Sequence, residues 1–98
     1  MSAMKFGFVY FGNARTVANF ACEAESARWD GFFVGEALWH IDAWVSLTAA
    51  AMLTERIRLG TMLSPLPSMN PRKIASQTAT LDNLSNGRVI LSVGMGAR

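Results

Sequence analysis

TERIRLGTMLSPLPSMNPRKIASQTATLDNLSNGRVILSVGMG, residues 54–96, holds two strand-like runs separated by one helix. RIRLGTML (56–63) and RVILSV (88–93) are short and rich in aliphatic and β-branched side chains, the composition of buried strands. Between them, Asn70-Pro71 supplies a helix cap followed by a proline in the first turn, and Asn86 or Gly87 supplies the left-handed residue that ends the helix. A crossover helix returns the chain to the same edge of a sheet, so the two strands are expected to run parallel.

The same alternation extends toward the N-terminus. Lys5 to Phe11 reads as a buried strand ending at Gly12-Asn13, and a helix follows from Thr16, taken as its N-cap, with Val17, Phe20, Ala21, Ala24 and Ala27 on one face. GFFVGE (31–36) reads as a second strand, and Asp42 caps a helix from Ala43 to about Thr54. Taking Lys5, Phe32, Ile57 and Val89 as markers, the strands recur at 27, 25 and 32 residues, the length of a βαβ repeat. The fold class is therefore α/β with a parallel sheet, either doubly wound or part of a barrel. In both, ligands gather at the carboxyl ends of the strands, here Gly12 and Asn13, Glu36, Ser64 and Pro65, Gly94 and Gly96.

Composition removes several function classes. The 98 residues carry nine basic and seven acidic side chains, a net charge of +2, and these are scattered, which argues against a nucleic-acid partner. No stretch approaches the ~20 apolar residues of a membrane span, FGFVYF is shorter than a signal-peptide core, and the lone Cys22 fits a reducing compartment, so the cytoplasm is the expected location. One His and one Cys do not make a zinc site of the usual kind, and no serine stands in a G-x-S-x-G elbow. Gly94-Met95-Gly96 lacks the third glycine and following helix of a dinucleotide loop, and a tight exit from a strand is the simpler reading. Asp82 and Arg88 bracket the turn after the third helix and are expected to form a structural ion pair. Trp39 and Trp44 flank the loop after the second strand, where packing of helix against sheet is the first expectation and a substrate-shaping wall the alternative.

WDGFFVGE (29–36) and residues 54–96 together resemble the N-terminal part of the bacterial-luciferase-like flavin-dependent oxidoreductases and monooxygenases. The most specific block is TERIRLGT, a Pro-containing loop, P-x-x-x-A, LD-x-LS-x-GR and VG-x-G, and the resemblance runs from Lys5 to Gly96. It implies a (β/α)₈ TIM barrel that uses FMN or an 8-hydroxy-5-deazaflavin coenzyme. Such barrels need roughly 250 residues, so residues 1–98 are expected to form one partial barrel domain of about four parallel strands and three helices.

The resemblance also assigns residues. The third strand of the family ends in a non-prolyl cis peptide beneath the flavin ring, and the matching bond is Met62-Leu63, followed by Ser64. Gly12, Glu36, Met62, Leu63, Ser64, Gly94 and Gly96 are thus candidates for holding the cofactor. Relatives commonly follow the acid at position 36 with His; here Ala37 follows, and His40, three residues later, is the candidate proton donor. Arg28 stands where many relatives have Gly at a helix end. Three functions follow: a flavin-dependent oxidoreductase or monooxygenase with a small-molecule substrate; a half-barrel that binds no cofactor and self-associates as a homodimer or higher oligomer; and a small nucleotide-binding α/β module.

Overall fold

The computed structural model describes residues 5–36 and 41–95. Along the chain lie β1 (Gly7–Tyr10), α1 (Ala14–Ser26), β2 (Gly31–Val34), α2 (Ala43–Leu53), β3 (Arg58–Thr61), β4 (Ser64–Pro65), a 3₁₀ turn (Leu66–Ser68), α3 (Pro71–Leu84), β5 (Val89–Ile90) and β6 (Val93–Gly94). The main sheet has the order β1-β2-β3-β5, all parallel, and β4 pairs with β6, also parallel. Four strands in one parallel sheet and three helices are what the sequence led us to expect.

Local chemistry sets the helix ends. Asn13, not Thr16, caps α1: its side chain accepts the Arg15 N–H at 2.8 Å, and Thr16 sits a turn further in, its hydroxyl donating to the Asn13 carbonyl at 2.9 Å. An amide oxygen reaches the orphan N–H groups of a first turn as well as a hydroxyl does, and Asn13 comes first. Asp42 accepts from Val45 N–H at 2.9 Å to cap α2, and Asn70 accepts from Arg72 N–H at 2.9 Å ahead of α3. Two helices end in the same way. Beyond α1, Arg28 takes φ 68° while Arg28 N–H and Trp29 N–H bond to the carbonyls of Glu25 and Ala24. Beyond α3, Asn86 at φ 57° and Gly87 at φ 79° repeat the arrangement against Asn83 and Asp82. Both are paired C-terminal bonds closed by a left-handed residue.

The helices cover one face of the sheet. Val17, Ala21 and Ala24 of α1 and Trp44, Leu47, Ala50 and Ala51 of α2 pack with Phe32, Val34 and Leu59 of the strands. Each large side chain fully buried there contributes about 1.5–3 kcal/mol. Aromatic rings bind β1 to this layer: Phe8 stacks on Phe32 at 6.0 Å and meets Trp29 edge-on at 5.6 Å, and Tyr10 stacks on Phe20 at 4.6 Å. The opposite face is open. Lys5 to Phe11 was expected as a buried strand, but β1 is an outer strand with only one covered side, and Val9 is 41% exposed.

RVILSV is not one continuous strand. It divides into β5 and β6 at Leu91-Ser92, opposite the break between β3 and β4 at Met62-Leu63. Gly60 pairs with Ile90 and Ser64 with Val93, so the chain spends four residues on one side where its neighbour spends three. One extra residue on one strand is a β-bulge. It falls on the Met62-Leu63 peptide, which is cis, at the bond to which the family resemblance pointed.

Arg88 is buried at the foot of β5. Its guanidinium donates to the carbonyls of Ser85, Ala51, Thr54 and Ile57 and to the Thr54 hydroxyl, at 2.6–3.1 Å. The ion pair expected with Asp82 gives way to this arrangement, because the carbonyls ending α2 lack helical partners and a cation at a helix C-terminus satisfies them. The Asp82 carboxylate instead accepts Val89 N–H at 3.4 Å.

Candidate cofactor site at the carboxyl ends of the strands

A parallel sheet brings all its strand exits to one end. Gly12 follows β1, Glu36 follows β2, Met62-Leu63-Ser64 follow β3, and Gly94 closes β6, so these candidates share that end of the molecule. His40, Gly96 and Trp39 lie outside the described residues.

Hydrogen bonds tie three strand exits together. Glu36 Oε1 accepts from the Ser64 hydroxyl at 2.5 Å, and the Trp44 indole N–H lies 3.2 and 3.1 Å from the two carboxylate oxygens. Ser64 is fully buried, its hydroxyl 2.8 Å from that of Thr61 and its N–H donating to the Ser92 carbonyl at 2.8 Å. Thr61 Oγ1 also reaches the Ser92 carbonyl, at 3.4 Å. Met62 N–H donates to the Val34 carbonyl at 3.0 Å, which holds the start of the bulge to β2. Every polar group in this row has a partner, as buried polar groups require.

Around the row the surface is apolar. Met62, Val93 and Met95 are exposed, and the Phe11 ring covers Gly35 so closely that a Cβ there would lie 2.0 Å from it. Leu63 packs on Gly94, where a Cβ would meet its side chain at 2.9 Å. Gly12 lies beside the Tyr10 hydroxyl, which is hydrogen-bonded to Thr16. Among the described residues no group of three or more His, Cys, Asp or Glu is placed to hold a metal ion, and no helix is long and apolar enough to cross a membrane.

Sequence reasoning found Glu36 and Ser64 but not what joins them. It gave Trp44 packing first and a substrate-shaping wall as the alternative, and it passed over Phe11, Thr61 and Ser92. A buried tryptophan needs a partner for its N–H, and a carboxylate eight residues before it was the available signal.

Comparison with known proteins gives the family and the fold. Residues 4–98 match the model of the luciferase-like monooxygenase family. An F420-dependent glucose-6-phosphate dehydrogenase of Amycolatopsis mediterranei is 37% identical over 97% of this chain and 29% of its own length. Among solved structures, the coenzyme F420-dependent tetrahydromethanopterin reductase of Methanopyrus kandleri superposes with a TM-score of 0.92 at 26% identity, covering 98% of this chain and 28% of that one. The oxygenating constituent of 3,6-diketocamphane monooxygenase from Pseudomonas putida, in complex with FMN, gives 0.86 at 25% identity over 99% and 31%. The chain spans between 20% and 29% of the length of curated relatives that it matches.

Proposed function

The chain belongs to the luciferase-like monooxygenase family, and from that premise we propose that it forms the cofactor-bearing strand ends of an oxidoreductase or monooxygenase that uses FMN or a deazaflavin and acts on a small organic substrate. The observation that carries this reading is the bulge of Met62 to Ser64, held by Glu36 and bordered by Gly94. The cofactor, when bound, supplies hydride or oxygen chemistry. Met62, Leu63 and Gly94 offer the ring an apolar surface that excludes water, and Gly12 lets the Tyr10 side chain lie close against the chain at the exit of β1. Ser64 and Glu36 hold the bulge in place. His40 is the proposed proton donor.

The test is spectroscopic. Purified protein mixed with FMN, or with 8-hydroxy-5-deazaflavin, and passed through a desalting column is expected to retain one of the two visible absorption bands. Loss of both bands overturns the reading.

A second reading concerns association. Val9, Phe11, Leu91 and Val93 are exposed and β1 is an outer strand, so the 98-residue chain is proposed to form a homodimer or higher oligomer through its open face. Covering about 600 Å² of apolar surface per chain is worth about 15 kcal/mol at about 25 cal/mol per Å², against an association cost of about 4–15 kcal/mol. Sedimentation velocity at micromolar concentration is expected to show a dimer or larger; a folded monomer overturns this reading.

A further inference from the structure

We infer that Trp44 is a positioning residue for the cofactor seat: its indole N–H and the Ser64 hydroxyl together fix the Glu36 carboxylate, and the carboxylate in turn fixes the bulge against which the cofactor lies. The inference rests on the cofactor reading above and adds to it a residue from the helix layer.

The argument starts with direction. Phe32 and Val34 of β2 are buried against the helices, and Glu36 continues that alternation, so its carboxylate turns toward α2 and meets the indole at 3.1–3.2 Å. Glu36 is thereby an anchor within the wall and acts on the cofactor through Ser64. Both of its donors are held rigidly. Trp44 is 4% exposed in the first turn of α2, whose N-cap, Asp42, is itself bonded. Ser64 is fully buried and tied through its N–H to Ser92 and through its hydroxyl to Thr61. An indole N–H only donates, and an ionised carboxylate only accepts, so the polarity of the chain from Trp44 to Glu36 to Ser64 admits one arrangement. Bonds to a charged acceptor are roughly twice as strong as neutral ones. The row spans α2, β2, the β3–β4 bulge and the β5–β6 break, so displacing Trp44 releases the carboxylate and, with it, the side of the bulge opposite the apolar bed.

Trp44→Phe keeps the ring in the core and removes the donor; Ser64→Ala removes the other. Each is expected to weaken binding of the retained cofactor about tenfold, read by fluorescence quenching, with unchanged far-ultraviolet circular dichroism. The double variant is expected to bind no more weakly than the weaker single one, because residues acting as a unit are not additive. Unchanged affinity in folded Trp44→Phe, or losses that simply add, overturns the inference. A second measurement needs no cofactor: the indole N–H cross-peak of Trp44 in a ¹⁵N-labelled sample, assigned by its loss in Trp44→Phe, is expected to shift in Glu36→Gln and in Ser64→Ala. If Ser64→Ala leaves that peak in place, the coupling is overturned. If the peak moves but neither cofactor binds the unsubstituted chain, the coupling is upheld and the cofactor reading falls.

Discussion

The carboxylate of Glu25, in the last turn of α1, accepts the backbone N–H of Ile57 at 2.9 Å, where the chain enters β3. The same carboxylate accepts from Arg56 N–H at 2.6 Å and Glu55 N–H at 3.1 Å, so one acid gathers three successive amides that no strand partner could serve. Burial alone would raise its pKa. The backbone bonds from Arg56, Ile57 and Glu55 and the Arg56 charge outweigh burial, and the carboxyl is held below its ordinary 4.5. A carboxyl with a lowered folded pKa adds stability above its unfolded value, and that stability is lost as pH falls through the folded one. Melting temperature is therefore expected to drop as the solution is acidified below about pH 4.5, with part of the drop absent in Glu25→Gln. That variant should cost about 1–2 kcal/mol at neutral pH, measured by urea denaturation.

Arg88→Met is expected to destabilise the fold by about 2–4 kcal/mol, because the carbonyls of Ala51, Thr54 and Ile57 lose a buried donor while the methionine only replaces volume. Hydrogen exchange should quicken at the end of α2 before it does in α1. Equal protection at both helix ends would contradict the assignment.

Arg28→Gly should stabilise. Arg28 is exposed and holds φ 68°, a conformation that costs a residue with a Cβ about 1 kcal/mol and glycine little. Thermal unfolding is expected to move upward by several degrees for a domain of this size.

Gly60→Ala should be severe. A Cβ there would lie 2.1 Å from the Ile90 carbonyl oxygen, a backbone atom of the paired strand, so the two strands must part. A loss of about 3 kcal/mol is expected, and chemical denaturation gives the value.

The alternation of strands and helices was legible because two of the helices carry a cap signal where they begin, Asp42 and Asn70, whereas at α1 the cap signal was read at Thr16 instead of Asn13. The parallel order followed from crossover length. What periodicity could not give was the break of RVILSV, since Leu91 and Ser92 read as strand locally and are turned out of it by pairing with the bulged neighbour. Arg88 was misassigned for a similar reason. Sequence proximity favoured Asp82, whereas apart from the Ser85 carbonyl the groups that claim the guanidinium lie more than thirty residues away in the chain. At the site, the glycines and Glu36 announced themselves by position, but the contact of Glu36 with Trp44 depends on a helix docking that no local pattern records.

The surplus residue between Gly60 and Ser64 has an arithmetic consequence. A strand changes sides at every residue, so an odd insertion exchanges the odd and even positions beyond it. Leu59 joins the helix-packed core and Thr61 is fully buried, yet beyond the bulge it is Ser64, an even position, that takes this side and meets Glu36. Were the same sequence to run on as a regular strand, without the bulge, Leu63 would take that place. The polar row is thus encoded by a count as much as by identity: a one-residue deletion at 62 or 63 would remove the bulge while leaving Ser64 on the side of Thr61 and opposite Val93.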